Sequence, residues 1–172
     1  MKRISVKRIA TLGVFTALSL LMFIVESLLP PLIMPGAKLG LSNILTILSL
    51  LILGPFDAII LIVVRTVLGS IITGSLSTLM FSLPAGLVSV LVSILLYLYV
   101  FPKVSIIAIS ILSAVIHNVV QTAVFCLITG TMQYFAFLIY LVALGVVAGM
   151  VVGVVSLLII KYIPKNFIAK IL

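Results

Sequence analysis

Apolar stretches long enough to cross a bilayer recur along nearly the whole chain, and they constrain the fold more than any motif does. A span needs about 20 apolar residues, because the hydrocarbon core is about 30 Å thick and a helix rises about 1.5 Å per residue. Only 7% of the 172 residues are charged and mean hydropathy is +1.62. A soluble domain needs roughly a quarter to a third of its surface charged, so this chain is not one. Backbone groups in lipid must be satisfied inside a helix or a closed barrel. The short alternating segments of a barrel are missing, which leaves an all-α integral membrane protein.

Breaks between the apolar runs predict six transmembrane helices, at about 9–29, 41–53, 57–73, 78–100, 104–128 and 134–161, in one transmembrane domain covering 1–172. MKRISVKR followed by apolar residues resembles a signal peptide. The run to Leu29 is nevertheless about long enough to span, lacks a small-x-small end and is followed by further spans, so it reads as a retained first helix. The second run, Leu41 to Leu53, rises only about 20 Å. It must extend into the preceding loop, sit in a thinned region, or turn back with the third helix as a re-entrant pair. Gly54-Pro55 breaks the chain, and Asp57 is placed to cap the third helix. Pro84 predicts a kink in the fourth. Gly145, Gly149 and Gly153 form a stripe for close helix packing, and Gly13 with Ala17 has the same small-xxx-small spacing. That pair suits either internal packing, the simpler reading, or a partner subunit. Cys126, the lone cysteine, lies in an apolar run as a buried packing thiol. Tyr162 to Leu172 reads as an interfacial tail.

The net charge of +8 raises nucleic acid as a partner, but no basic face with interleaved stacking aromatics exists. The cations flank the apolar runs, where they meet anionic lipid. With both termini cytoplasmic, Lys2, Arg3, Lys7, Arg8, Lys103, Lys161, Lys165 and Lys170 lie inside and Lys38 alone outside, as the positive-inside rule requires. The loop over 30–40 then faces outward.

That loop belongs to the longest polar-leaning interruption in the chain, PGAKLGLSN from Pro35 to Asn43. Two glycines and a proline bend it, Lys38 supplies charge, and Ser42 and Asn43 can cap the following helix. A cationic approach to a helix N-terminus favours anions; the plainer reading is a connecting loop with a solvated lysine. Arg65 stands mid-helix, where it needs a partner or a cavity. The chain has two acidic residues, Glu26 and Asp57. Arg65 therefore pairs with Glu26, bonds carbonyls, or awaits an anionic ligand. Glu26, near its helix end, can also simply reach headgroup water. His117, Asn118 and Gln121 form the densest polar patch inside an apolar run, and His117 and Gln121 share a helix face. They either tether helices or line a cavity. At about 1.5 Å per residue, Arg65 stands about 12 Å and His117 about 20 Å above the inner ends of their helices. Lys38, Glu26, Asn43, His117 and Gln121 then share the outer half of the membrane, with Arg65 near mid-depth.

Several chemistries are missing. PGAKLG lacks the GxxxxGK[ST] spacing. Two acids on different helices cannot hold the magnesium ions of diphosphate chemistry. One His and one Cys do not make a structural zinc site, and His117 has no carboxylate near it to orient it as a catalytic base. The chain reads as a non-enzyme without cofactor or metal.

PGAKLGLSN, the RTVLGS run from Arg65 to Ser70, and HNVVQ from His117 to Gln121 resemble the small bacterial membrane proteins of the Gx transporter family, also labelled heptaprenyl diphosphate synthase component I. The resemblance covers about Lys7 to Lys161. The family is similar in size and six-helix plan to the substrate-binding S components of energy-coupling factor transporters. It implies a bundle in a bacterial cytoplasmic membrane, with a loop after the first helix gating an outward pocket. It also implies small residues on the first helix, here Gly13 and Ala17, touching a transmembrane coupling subunit that works with ATPases. Prenyl diphosphate synthases carry aspartate-rich magnesium motifs, and none is present, so the synthase label implies an accessory.

Two functions follow. In the first, the chain is the substrate-binding subunit of an importer for a small anionic cofactor or an isoprenoid, quinone or flavin precursor. Lys38 and Asn43 close over the ligand, Arg65 and His117 offset its charge, Asn118 and Gln121 orient it, and Glu26 completes the site. In the second, it is a non-catalytic accessory subunit of a polyprenyl diphosphate synthase or redox assembly, and the polar residues only tether helices. The scarcity of intramembrane acids disfavours a self-contained ion-coupled transporter.

Overall fold

The short second run decides the architecture. In the computed structural model, which describes residues 5–28 and 40–163, it forms α2 (Asn43–Ile52), a ten-residue helix of which eight residues are buried. A helix this apolar belongs in a core, and α2 is enclosed accordingly, with Asn43, Thr46 and Ser49 as its polar residues. The long helices α1 (Val6–Leu28), α3 (Pro55–Ile72), α4 (Leu76–Tyr99), α5 (Ile106–Thr129) and α6 (Leu138–Tyr162) pack each against the next in that order, and α2 bridges α1 and α6. α2 packs against α3, α6 and α1. Its Ile44, Leu45, Ile47 and Leu48 form the main apolar cluster with Leu61 and Val152. A 3-10 turn, Met132–Phe137, leads into α6 where a continuous helix was expected. No strand occurs among the described residues.

The five long helices have the length and apolarity to cross a membrane, and α2 does not. The chain is thus a multi-pass helical membrane protein: five of the six expected helices are long enough to span, and the second, whose shortness the sequence already showed, is a buried ten-residue helix. Leu41 and Ser42 form a turn, so α2 is not prolonged toward the loop. Lys38 lies outside the described residues, as do Lys2, Arg3, Lys165 and Lys170.

Arg8 ties one end of the bundle together. Its Nε donates to Asp57 Oδ2 at 2.8 Å, an Nη2 contact reinforces that ion pair, and Nη2 also donates to the Leu53 carbonyl at 2.9 Å. The first turn of α1 is thereby joined to the α2–α3 turn. Asp57 was expected as a cap. The N-cap of α3 is instead Gly54, at a φ of 112° that favours glycine, with no side-chain cap bond. The Asp57 charge still faces the positive end of α3.

α1 buries only Ser19, Phe23 and Glu26, spaced four and three residues apart on one face. Phe23 fills the place of the missing Gly69 side chain, where a Cβ would come within 2.4 Å of its ring. Gly13 and Ala17 lie on the opposite, exposed face, and nothing stands within 4 Å of a Cβ on Gly13. Internal packing of this pair is therefore corrected. The glycines of α6 do pack internally. A Cβ on Gly149 would lie 2.6 Å from Ile111 Cα, and one on Gly153 2.7 Å from Ile107 Cα, so α5 and α6 meet backbone to backbone. Cys126 is fully buried.

Overpacking a close interface costs about 1–3 kcal/mol. Gly149→Ala is expected to lower the detergent melting temperature measurably, whereas Gly13→Ala, into open space, leaves it unchanged or slightly raised. Equal effects would refute this assignment of the two small-residue faces.

Candidate binding cavity

α2 stops short, and the site is built around its first turn. At its lower end Leu53 meets Arg8. At its upper end the Ser42 carbonyl accepts from the Ser19 hydroxyl at 3.0 Å. Ser19 follows Arg8 by eleven residues, about 16 Å along α1, so the N-terminus of α2 opens about halfway along the bundle. A helix start leaves its first N–H groups without partners in the helix. Ser42 makes no side-chain cap bond, which corrects the capping expected of Ser42 and Asn43. The Asn43 and Ile44 N–H groups donate instead to the Gly40 and Leu41 carbonyls at 2.9 and 3.1 Å, and Glu26, reaching in from α1, holds the turn just before the helix. Its Oε1 accepts from the Leu41 N–H at 2.8 Å and its Oε2 from the Ser42 hydroxyl at 3.5 Å.

Asn43 turns away from its own backbone toward α3. Arg65 Nη2 donates to Asn43 Oδ1 at 3.0 Å, and Nη1 to Ser19 Oγ at 3.4 Å. Arg65 and Glu26 are buried, at 4% and 5% exposure, yet no ion pair within 4 Å joins them; the pair found among the described residues is Arg8–Asp57. The guanidinium is thus held by neutral acceptors, and its Nε has no partner.

α5 supplies the facing wall. Ser110, Ser113, His117 and Gln121 recur at intervals of three and four residues, so they lie along one face. Gln121 hydrogen-bonds the His117 imidazole, whose Nδ1 is buried without a partner. Asn118 sits one position round, and its Nδ2 donates to the Leu141 carbonyl of α6 at 2.7 Å. Gly145 makes room for that crossing, since a Cβ there would lie 2.9 Å from Asn118 Nδ2. Asn118 is therefore in part a helix tether.

Glu26, Asn43, Arg65, His117, Asn118 and Gln121 all line one cavity. Of the residues singled out in the sequence as a binding site, only Lys38 is missing from this group, because it lies outside the described residues. Gly13 and Ala17 stand apart on the outward face of α1. The sequence reading overlooked a set of hydroxyls that line the same cavity: Thr46, Ser82, Ser89, Ser93, Ser110 and Ser113. Periodicity could have revealed them. Ser110 and Ser113 continue the His117–Gln121 face downward, and Ser89 and Ser93 are four apart on α4. Ser89 and Ser113 join their hydroxyls at 2.9 Å across the α4–α5 interface. From Ser110 to Gln121 the polar wall runs about 16 Å. Among the described residues, no group of His, Cys, Asp and Glu is placed to hold a metal ion.

Removing the Asn43 acceptor leaves a buried Arg65 donor unpaired, at a cost of about 1–3 kcal/mol. Asn43→Leu is expected to lower the melting temperature in detergent, and Asn43→Asp, which keeps an acceptor for Arg65, to be far milder. Equal destabilisation by both would show that the Arg65–Asn43 bond is not what matters there.

The family model for heptaprenyl diphosphate synthase component I matches residues 15–159. No curated protein and no solved structure matches the chain. The matched stretch contains all six of the cavity residues singled out in the sequence, and it extends over most of the chain. The chain therefore belongs to the heptaprenyl diphosphate synthase component I family.

Proposed function

We propose that the chain is the solute-binding membrane subunit of an importer, holding a small polar molecule with an anionic group in the cavity at the start of α2. One observation carries this reading. Among the described residues six side chains keep a buried polar atom without a partner, and three of them, Thr46, Arg65 and His117 on three different helices, line this one cavity. Buried polar groups are nearly always hydrogen-bonded, and leaving one unmade costs about 1–3 kcal/mol. A guest between α2, α3 and α5 offsets that cost. Arg65 and His117 receive its anionic group, and Asn43 and Gln121 orient it. The hydroxyl wall favours a solute able to hydrogen-bond over an extended prenyl chain, which gains from apolar surroundings.

In this reading both termini are cytoplasmic, the mouth faces outward and the membrane is the bacterial cytoplasmic one. Gly13 and Ala17, exposed on α1, are the contact for a transmembrane coupling subunit served by ATPases. The family's name favours a second reading, a non-catalytic accessory of a polyprenyl diphosphate synthase, in which the polar residues serve only as tethers.

Native mass spectrometry of gently purified protein separates the two. A small-molecule adduct is expected on the wild type, reduced at least tenfold in Arg65→Ala and His117→Ala while circular dichroism stays unchanged. No adduct, together with a co-purifying synthase subunit, would replace this reading with the accessory one.

A further inference from the structure

The charges inside the cavity do not suit a simple anion. Its described lining contains one guanidinium, Arg65, and one carboxylate, Glu26, both buried. Opposite charges in a low-dielectric space gain by closing on each other, yet these two stay more than 4 Å apart. Different helices, α3 and α1, carry them, and each is bound to neighbouring residues at the start of α2: Arg65 to Asn43, Glu26 to Leu41 and Ser42.

Both groups keep bonding capacity in reserve. A carboxylate has about four acceptor sites, and Glu26 uses one well, at 2.8 Å, and one at the 3.5 Å limit. A guanidinium has five N–H donors. Arg65 makes one good bond at 3.0 Å and a long one at 3.4 Å, and its Nε makes none. Against the described lining, a purely anionic guest on Arg65 leaves two negative charges facing one positive charge, and an uncompensated buried charge is heavily penalised. A guest with one charge of each sign adds no net charge and offers a partner to both residues.

We propose that the solute is a zwitterion of the amino-acid type, with its ionised acid on Arg65 and His117 and its protonated amine on Glu26. This rests on the cavity being a solute site, and it assigns Glu26 a direct role in selecting the ligand.

The test dialyses purified full-length protein against a defined mixture of α-amino acids and ω-amino acids of graded chain length. The mixture also contains their deaminated carboxylates and their decarboxylated amines, and retained compounds are identified by mass spectrometry. The wild type is expected to retain at least one amino acid tenfold or more over its matching carboxylate and amine. Glu26→Gln and Arg65→Gln should each abolish that preference. Gln keeps an acceptor for the Leu41 N–H, and Glu26→Asp, which keeps the charge, should preserve the preference and so separate lost charge from misfolding. Equal retention of carboxylates and amino acids, or an unchanged preference in Glu26→Gln, would overturn the zwitterion and leave an anion site standing. Retention of none of the three sets also overturns it. Only if native mass spectrometry in addition finds no adduct does the solute-binding reading fall as well.

Discussion

Arg65 is buried in the bundle, and no carboxylate closes on it. A guanidinium removed from water must recover its solvation from whatever surrounds it, and here the first turn of α2 does this with Asn43, helped by Ser19 of α1. That requirement holds three helices in register at mid-depth. It also explains why α2 starts where it does. Glu26 satisfies the backbone at the same turn from the other side, so the N-terminus of α2 is clasped between an acid on α1 and a base on α3. The two charges help to hold the helix start between them without meeting each other.

A cavity follows from this arrangement. α2 is too short to fill the length of the bundle of long helices, and its main partners are α3, α6 and α1. The space toward α4 and α5 is walled by hydroxyls and by His117, Asn118 and Gln121. Polar side chains in lipid-spanning helices must turn inward, and inward here means toward a volume the short helix leaves free. The α5–α6 side of the cavity is closed differently. Bare backbone at Gly149 and Gly153 lets α6 lie directly against α5, which fixes the wall that carries His117. Membership of the heptaprenyl diphosphate synthase component I family is consistent with a membrane helical protein of this size. The chemistry of the cavity is what points to a solute.

Much of this was legible in the chain. Long apolar runs between Gly, Pro and charged breaks imply helices because only they satisfy a single segment's backbone in lipid. The shortness of the second run was visible too, as was the need of Arg65 for a partner in a chain with two acidic residues. Other features were ambiguous for physical reasons. Gly13–Ala17 and Gly145–Gly149–Gly153 share one spacing, yet the first pair is exposed and the second stripe is buried; spacing defines a face but not what it faces. Asp57 stands where a cap belongs, and only the arrival of Arg8, 49 positions earlier in the chain, made it half of an ion pair. Serines scattered through α4 and α5 read as ordinary helix residues until the helices were set side by side.

The sequence by itself determined that the chain lives in a membrane as helices, that the second apolar run is too short to span unaided, and that a cation in mid-helix needs a partner or a cavity. These are consequences of solvation and length, which are local properties of a segment. The tertiary structure alone decided that the short helix sits at the centre, that Glu26 and Arg65 approach its first turn without pairing, and that one face of α5 looks into a hollow. Those depend on which helices are neighbours and at what height, and no periodicity within a single segment encodes that.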